Sequence, residues 1–225
     1  VNNGDGTYTE MASSFNLDDP IQTWSCAVGD FDNDGDMDVV VGASSGTHRV
    51  SRNDGITFAD VTAGSGFDLF GGTSIEWVTK DFDNDGNLDV MGAGGMMMGN
   101  GNLTFTYNPT SIMNGPIGDL NHDGFLDIVN GSTIHYNDGN DNNWIKIHTV
   151  GTVSNIQGIG ARVEIHTPAG MQIRDIRSGE GFGHMNSLTA NFGIGTETQV
   201  DLVRVIWPSG IVNTFDDPTI NESLV

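Results

Sequence analysis

One motif limits what this chain can fold into more than any other feature. It is written D-x-[DN]-x-D-G-x-x-D and occurs as Asp30-Phe31-Asp32-Asn33-Asp34-Gly35-Asp36-Met37-Asp38. It returns as Asp81-Phe82-Asp83-Asn84-Asp85-Gly86-Asn87-Leu88-Asp89 and as Asp119-Leu120-Asn121-His122-Asp123-Gly124-Phe125-Leu126-Asp127. Each copy crowds several carboxylates into one short loop. Like charges at such spacing repel, so the loop requires a cation among them or side chains kept in water. Apolar runs of strand length follow, Met37-Asp38-Val39-Val40-Val41 after the first loop and Leu126-Asp127-Ile128-Val129 after the third. Their β-branching favours buried strands over helix.

A second signal alternates with the first. Asn2-Asn3-Gly4-Asp5-Gly6-Thr7-Tyr8, Asn53-Asp54-Gly55-Ile56-Thr57-Phe58 and Gly99-Asn100-Gly101-Asn102-Leu103-Thr104-Phe105 read as hairpin turns, with a weaker copy at Asn137-Asp138-Gly139-Asn140. The implied unit is strand, acidic loop, strand, linker, strand, glycine turn, strand. The loops begin at Asp30, Asp81 and Asp119, 51 and then 38 residues apart. Four short strands in that period match a propeller blade. Only three complete loops are present, preceded by a half-unit at residues 1–10, whereas propellers close with about 4–8 blades. Three explanations stay open: a piece cut from a longer chain, an edge covered by the following region, or neighbouring copies that complete each other by strand addition.

Charge separates the chain into two parts. The formal net charge is −22. Residues 1–143 hold 22 acidic and 3 basic side chains, and residues 144–225 hold 8 and 5. The acid therefore belongs to the repeats. Such a surface excludes phosphate-backbone binding, which needs clustered Lys and Arg, and suits a hard cation with oxygen ligands. The alternative is a solubilising acidic surface. No stretch approaches the run of about 18 apolar residues that a membrane helix needs. No charged start with an apolar leader is seen, so the expectation is a mature form or an excised fragment. The single cysteine, Cys26, excludes an internal disulfide and reads as a buried small hydrophobe in the run Trp24 to Val28. Met96-Met97-Met98 reads as core filling.

From Trp144 the repeat stops. Trp144 to Ile147, Ala161 to Ile165, Met171 to Ile176 and Val200 to Ile206 alternate as half-buried strands divided by Gly, Asn, Ser and Pro turns. The fold expected is all-β: partial β-propeller-type repeats over residues 1–142, then an antiparallel β-sandwich over residues 143–225.

The loop chemistry points to calcium, which takes roughly 6–8 oxygens at about 2.3–2.6 Å. Positions 1, 3 and 5 carry Asp30, Asp32 and Asp34 in the first loop, Asp81, Asp83 and Asp85 in the second, and Asp119, Asn121 and Asp123 in the third. Gly35, Gly86 and Gly124 at position 6 permit the chain reversal. Position 7 (Asp36, Asn87, Phe125) can offer a backbone carbonyl, which explains its freedom of side chain. Position 9 is Asp38, Asp89 and Asp127. The EF-hand reading fails: position 12 should be Glu but is Val41, Gly92 and Asn130, and the flanks are strands. About three Ca²⁺ sites are expected, with Asn121 weakening the third. Without the position-12 Glu the affinity should fall near the ~10⁻⁴–10⁻³ M of extracellular modules.

Val28-Gly29-Asp30 through Val41, with the Asn-Asn-Gly-Asp-Gly-Thr-Tyr turn, resembles the FG-GAP/VCBS repeats of integrin-like β-propellers. Residues 143 to about 217 resemble the ASPIC/UnbV domain. That likeness rests on Gly158-Ile159-Gly160-Ala161-Arg162-Val163, Gln172, Arg174, Gly179-Glu180-Gly181-Phe182, Asn191-Phe192-Gly193-Ile194-Gly195 and Trp207-Pro208-Ser209-Gly210. The resemblance implies a secreted or cell-surface, calcium-stabilised protein used in adhesion or surface assembly. Its partner would be a protein or glycan at the cell surface, with no nucleic acid and no membrane span, and self-association through the open repeat edge is a further possibility. The leading expectation is a non-catalytic recognition module; the alternatives are a subunit of a surface fibre and a secreted hydrolase or lyase.

Other patterns carry less. Gly42-Ala43-Ser44-Ser45-Gly46 matches G-x-S-x-G, but a nucleophile elbow must enter a helix, and Thr47-His48-Arg49-Val50 continues as strand. The six histidines show no i, i+4 pair for zinc. Arg162, Arg174, Arg177 and Arg204 could meet a carboxylate, an acidic sugar or the acidic half of a neighbour, or could pair with Glu164, Asp175 and Asp201. Trp207 reads as a core aromatic, with a sugar platform as the alternative. Asn102, Asn130 and Asn221 stand in N-x-[ST] sequons.

Overall fold

Each acidic loop joins the first strand of a sheet to its second, and the glycine turns after Asn53 and Gly99 join the third strand to the fourth in the first two sheets. A computed structural model describes residues 1–19, 22–43, 47–71, 77–92, 95–110, 112, 115–181 and 183–225. The first sheet runs β1 (Thr23–Gly29), β2 (Asp38–Ala43), β3 (Arg49–Asn53), β4 (Phe58–Asp60), antiparallel and in chain order. The second repeats it with β5 (Val78–Lys80), β6 (Asp89–Gly92), β7 (Gly95–Gly99) and β8 (Phe105–Asn108). The third has β9 (Ile117–Gly118), β10 (Asp127–Asn130) and β11 (Thr133–His135). Residues 1–9 form a small hairpin bridged between Asn2 and Tyr8. No α-helix occurs among the described residues; the one helical turn is 3-10, at Ser13–Phe15.

The three sheets pack in sequence. Phe31, Val40, Val50, Leu88, Val90, Met97 and Phe105 fill the layer between the first and second. Phe67 and Trp77, from the linker, complete it, and Phe67 stacks edge-on to Phe105 with centroids 4.9 Å apart. Val78, Phe82, Met91, Ile117, Leu126 and Ile128 fill the layer between the second and third. Position 2 of the first two acidic loops is thus a core plug: Phe31 for the first layer and Phe82 for the second. Leu120, its counterpart in the third loop, is 46% exposed, since no further sheet among the described residues packs on it. The methionine run behaves as expected, with Met97 buried in the core.

The C-terminal strands are β12 (Asn143–Ile147), β13 (Arg162–Thr167), β14 (Gly170–Asp175), β15 (Ala190–Gly195), β16 (Leu202–Ile206), β17 (Val212–Asp216) and β18 (Ser223–Leu224). They make two sheets, β15-β12-β18 and β14-β13-β16-β17. Ile145, Ile147, Phe192 and Ile194 from one sheet meet Val163, Ile165, Val203 and Val205 from the other in one core. Alternation of inward apolar residues produces that core. One pairing departs from the antiparallel expectation: β18 runs parallel to β12.

Two side-chain expectations need correction or relocation. Cys26 is exposed, because the pleat turns Ala27 inward and its neighbours outward. Ser44, Ser45 and Gly46 of the G-x-S-x-G match lie outside the described residues; strand structure resumes with β3 at Arg49.

Candidate metal centres

The loops share one backbone solution. Position 4 is left-handed in all three (Asn33 φ 56°, Asn84 φ 56°, His122 φ 64°), and position 6 is a positive-φ glycine (Gly35 98°, Gly86 97°, Gly124 95°). Only glycine adopts the latter without strain. The reversal turns backbone N–H groups toward the position-1 carboxylate. Asp30 accepts from Asp34 and Gly35 at 3.0 and 3.1 Å. Asp119 accepts from Asp123 and Gly124 at 3.2 and 2.9 Å. Asp81 accepts from Gly86 at 3.1 Å.

Position 9 is a bolt between two turns. Asp38 accepts from Phe31 N–H (3.0 Å) and Asn53 N–H (2.8 Å). Asp89 accepts from Phe82 (2.9 Å) and Gly99 (2.8 Å), and Asp127 from Leu120 (2.8 Å) and Asn137 (2.9 Å). Each of these aspartates ties its own loop to the glycine turn of the same repeat. Position 5 serves the loop surface: Asp34, Asp85 and Asp123 are exposed and accept the position-7 N–H of Asp36, Asn87 and Phe125 at 2.8–2.9 Å.

In the first two loops the carboxylates converge. Oxygens of Asp30, Asp32 and Asp38 lie within 4.8 Å of one another, and so do those of Asp81, Asp83 and Asp89. Within these groups Asp32 Oδ1 and Asp81 Oδ1 are buried with no hydrogen-bond partner, as is the neighbouring Asn33 Oδ1. Buried oxygens are rarely left unpaired, and two of these belong to the converging carboxylate groups. Burial raises Asp30 to about 6 and Asp38 to about 7. It raises Asp81 to about 7 although the Arg174 guanidinium opposes it. Asp32 and Asp83 are raised by burial and then by neighbouring carboxylates, and burial puts Asp89 well above the usual range. A divalent cation would relieve both the repulsion and the unpaired oxygens, so the residues of loops 1 and 2 fit one.

Loop 3 is arranged differently. Asn121 Nδ2 donates to Asp123 Oδ2 at 2.7 Å. Lys146 Nζ, reaching from β12, donates to Asp119 Oδ2.

The C-terminal sandwich lies across all three loops, which local sequence reading did not reveal. Met171 packs over Gly35. Gly193 N–H donates to Asp81 Oδ2 at 3.2 Å, and Gly195 N–H to Asn84 O at 2.9 Å. Trp144 covers Gly124. The loops also join one another: Asn33 Nδ2 donates to Asn87 Oδ1 at 3.3 Å, and Asn84 Nδ2 to Gly124 O at 3.2 Å. Gly193 is needed for this approach, since a Cβ there would stand 2.2 Å from Asn84 Cα. Gly193→Ala should cost about 1–3 kcal/mol through forced separation of the sandwich from loop 2. Urea unfolding checks this, and an unchanged midpoint would contradict the contact.

The arginines are committed within the chain. Arg162 pairs with Asp175 at 2.9 Å and Arg204 with Glu164 at 3.1 Å. Arg174 bonds Ile173 O and Gln172 Oε1 beside the Phe192 ring. Arg177 Nη1 donates to Val28 O at 3.0 Å, so the acidic half it meets belongs to the same chain. Glu180 bonds Lys80 at 2.5 Å. Burial pushes that carboxyl up, but the Lys80 ammonium, Arg177 and the Asn186 hydrogen bond together hold it below its usual range. Trp207 packs on the sandwich core and its Nε1 donates to Asn213 Oδ1 at 2.8 Å.

The fold and its loops define a class of protein: FG-GAP-like repeats joined to an ASPIC/UnbV domain. Residues 1–41 and 30–92 match the FG-GAP-like repeat family, and residues 151–225 match the family described as ASPIC and UnbV. The chain is similar to cartilage acidic protein 1 of Homo sapiens, 28% identical over 245 residues that cover 93% of this chain and 36% of the relative. The protein of that name from Xenopus tropicalis is 28% identical over 250 residues, covering 95% and 38%. The chain therefore spans little more than a third of the length of these relatives.

Proposed function

We propose that this chain is an extracellular, non-catalytic recognition module whose repeats are made rigid by calcium, with residues 1–142 and 143–225 as its two units. The observation that carries the reading is the pair of buried, unpartnered oxygens, Asp32 Oδ1 and Asp81 Oδ1, each inside a group of converging carboxylates. Asp30, Asp32 and Asp38 would hold one Ca²⁺, and Asp81, Asp83 and Asp89 the other. Asp34, Asp36, Asp85 and Asn87 lie beside them as further oxygen donors. The ion supplies positive charge that links strands; the position-1 and position-9 aspartates orient the loop by accepting backbone N–H groups. Loops of this kind without a position-12 Glu suit millimolar calcium, which favours an extracellular setting. Relatives named for cartilage and for acidity are in keeping with it. In this reading the clustered carboxylates are committed to loop hydrogen bonds and to the ion, which supports a binding role over a hydrolase or lyase. The partner in this reading is a cell-surface protein or glycan. Titration calorimetry at millimolar calcium tests the premise: binding with a Kd of about 10⁻⁴–10⁻³ M is expected, and no heat above buffer would end the reading.

A second reading, a fibre subunit, rests on exposed apolar residues at both ends of the row of sheets. Trp24 is 55% exposed at one end, and Leu120, Ile134 and Tyr136 are 46–57% exposed at the other. Such faces would meet head to tail between copies. Sedimentation over a concentration series, with the chain intact and without residues 1–10, decides it. A monomer throughout removes this reading.

A further inference from the structure

We infer that Lys146 is a built-in cation for the third acidic loop, so that this chain takes a divalent ion at loops 1 and 2 and none at loop 3. The inference rests on the calcium reading for the first two loops and concerns where it stops.

Three observations separate loop 3 from its siblings. The first is the ammonium itself. Lys146 Nζ bonds Asp119 Oδ2, the position-1 carboxylate, and the two side chains are 7% and 4% exposed. Among the described residues no ion pair reaches Asp30 or Asp81, the carboxylates at the same position in loops 1 and 2; the Arg174 guanidinium acts on Asp81 only at longer range and hydrogen-bonds Ile173 O and Gln172 Oε1 instead. The second is the donor set. Asn121 replaces an aspartate at position 3, removing one negative charge, and its Nδ2 donates to Asp123 Oδ2 at 2.7 Å. A site for a hard cation should present a carboxylate there. An amide on the position-5 carboxylate also occurs in loop 2, where Asn87 Nδ2 donates to Asp85 Oδ2 at 3.0 Å, so the missing charge at position 3 is what sets loop 3 apart. The third is saturation. Loops 1 and 2 each contain a buried carboxylate oxygen without a partner, whereas the two buried carboxylates of loop 3, Asp119 and Asp127, leave none.

The lysine is held in place from outside the repeat. It projects from β12 of the sandwich, with its ammonium 4.8 Å from the centre of the Trp144 ring, and that ring lies on Gly124 of the same loop. Cation–π attraction and the Asp119 carboxylate thus fix one ammonium at the mouth of the loop. A divalent ion entering there would meet a buried positive charge already bound to the position-1 carboxylate. The same contact adds an ion pair to the seam between the sandwich and the third repeat, where the seam with loop 2 uses the backbone N–H groups of Gly193 and Gly195.

The test is the number of calcium ions bound by the full chain, measured by equilibrium dialysis with metal analysis and by calorimetry. Two per chain is expected for the wild type. Lys146→Ala combined with Asn121→Asp restores the carboxylate set and empties the ammonium position, and should raise the number to three. Three ions on the wild type, or two on the double variant with an unaltered circular dichroism spectrum, would overturn the assignment. The wild-type number stands alone if the variant does not fold. A wild type that binds no calcium would instead overturn the calcium reading of loops 1 and 2 on which the inference rests. Terbium supplies an independent readout. Emission sensitised through Trp144 should appear in the double variant and vanish when Trp144→Phe is added; the same Trp144-dependent emission in the wild type would place an ion in loop 3 and overturn the assignment.

Discussion

Asp89→Asn should destabilise the protein by about 3–6 kcal/mol in urea unfolding. Asp89 is 1% exposed and accepts two backbone N–H groups, from Phe82 at 2.9 Å and Gly99 at 2.8 Å. Asparagine keeps the shape but presents an amide nitrogen to one of those donors. One bond is then lost and two N–H groups face each other in a buried site. Bonds to a charged acceptor are worth roughly 1.5–3 kcal/mol each, and an unsatisfied buried donor costs a similar amount. Against a total stability of about 5–15 kcal/mol, this is a large share. The second loop would lose its tie to the β7–β8 turn, and the layer around Phe82 would loosen with it. Asp216→Asn on exposed β17 is the control and should stay within about 0.5 kcal/mol of the wild type. Equal midpoints for the two variants would show that position 9 is not a bolt.

Calcium removal should lower the melting temperature and change the sign of its dependence on pH. At calcium ten times its Kd each site adds about 1.4 kcal/mol, so two sites give about 3 kcal/mol and a shift of about 6–12 °C in a chain of this size. Without the ion, Asp38 and Asp81 titrate near 7 in the folded chain and Asp30 near 6, against 3.8 when unperturbed. The folded state then binds more protons than the unfolded state across that interval. Stability in EDTA therefore falls as pH rises from about 4 to about 7, by up to about 1.4 kcal/mol per group per unit. Bound calcium holds the carboxylates ionised, so with the ion present stability falls as pH drops instead. Scanning calorimetry in EDTA and in millimolar calcium at several pH values checks both slopes. Parallel curves would mean that these carboxylates hold no ion.

Much of the architecture was legible because the signals are short-range. The order strand, acidic loop, strand, linker, strand, glycine turn, strand appears as β1–β4 and again as β5–β8. The division of sandwich strands into alternating apolar runs appears as β12, β13, β14 and β16. Failures came where an outcome depends on what lies across space. Cys26 sits in an apolar run, yet the pleat turns it outward. The pairing of β18 with β12 joins Ser223 to Lys146, a contact that no local pattern announces. Leu120 occupies the motif position of Phe31 and Phe82 but stays exposed, because burial belongs to the packed layer and not to the motif.

The acidic loops divide in the same way. Sequence by itself determined their backbone, since the left-handed residue at position 4, the glycine at position 6 and the aspartates that accept nearby N–H groups act over fewer than ten residues. It could not determine what neutralises each loop. The partner of Asp119 is Lys146, 27 residues away, and the N–H that closes on Asp81 is that of Gly193, 112 residues away. Burial and charge compensation are properties of the assembled interior, where a carboxylate shifts by what surrounds it. Only the tertiary structure could therefore separate two loops whose buried carboxylates keep an unpartnered oxygen from a third whose position-1 carboxylate holds an ammonium.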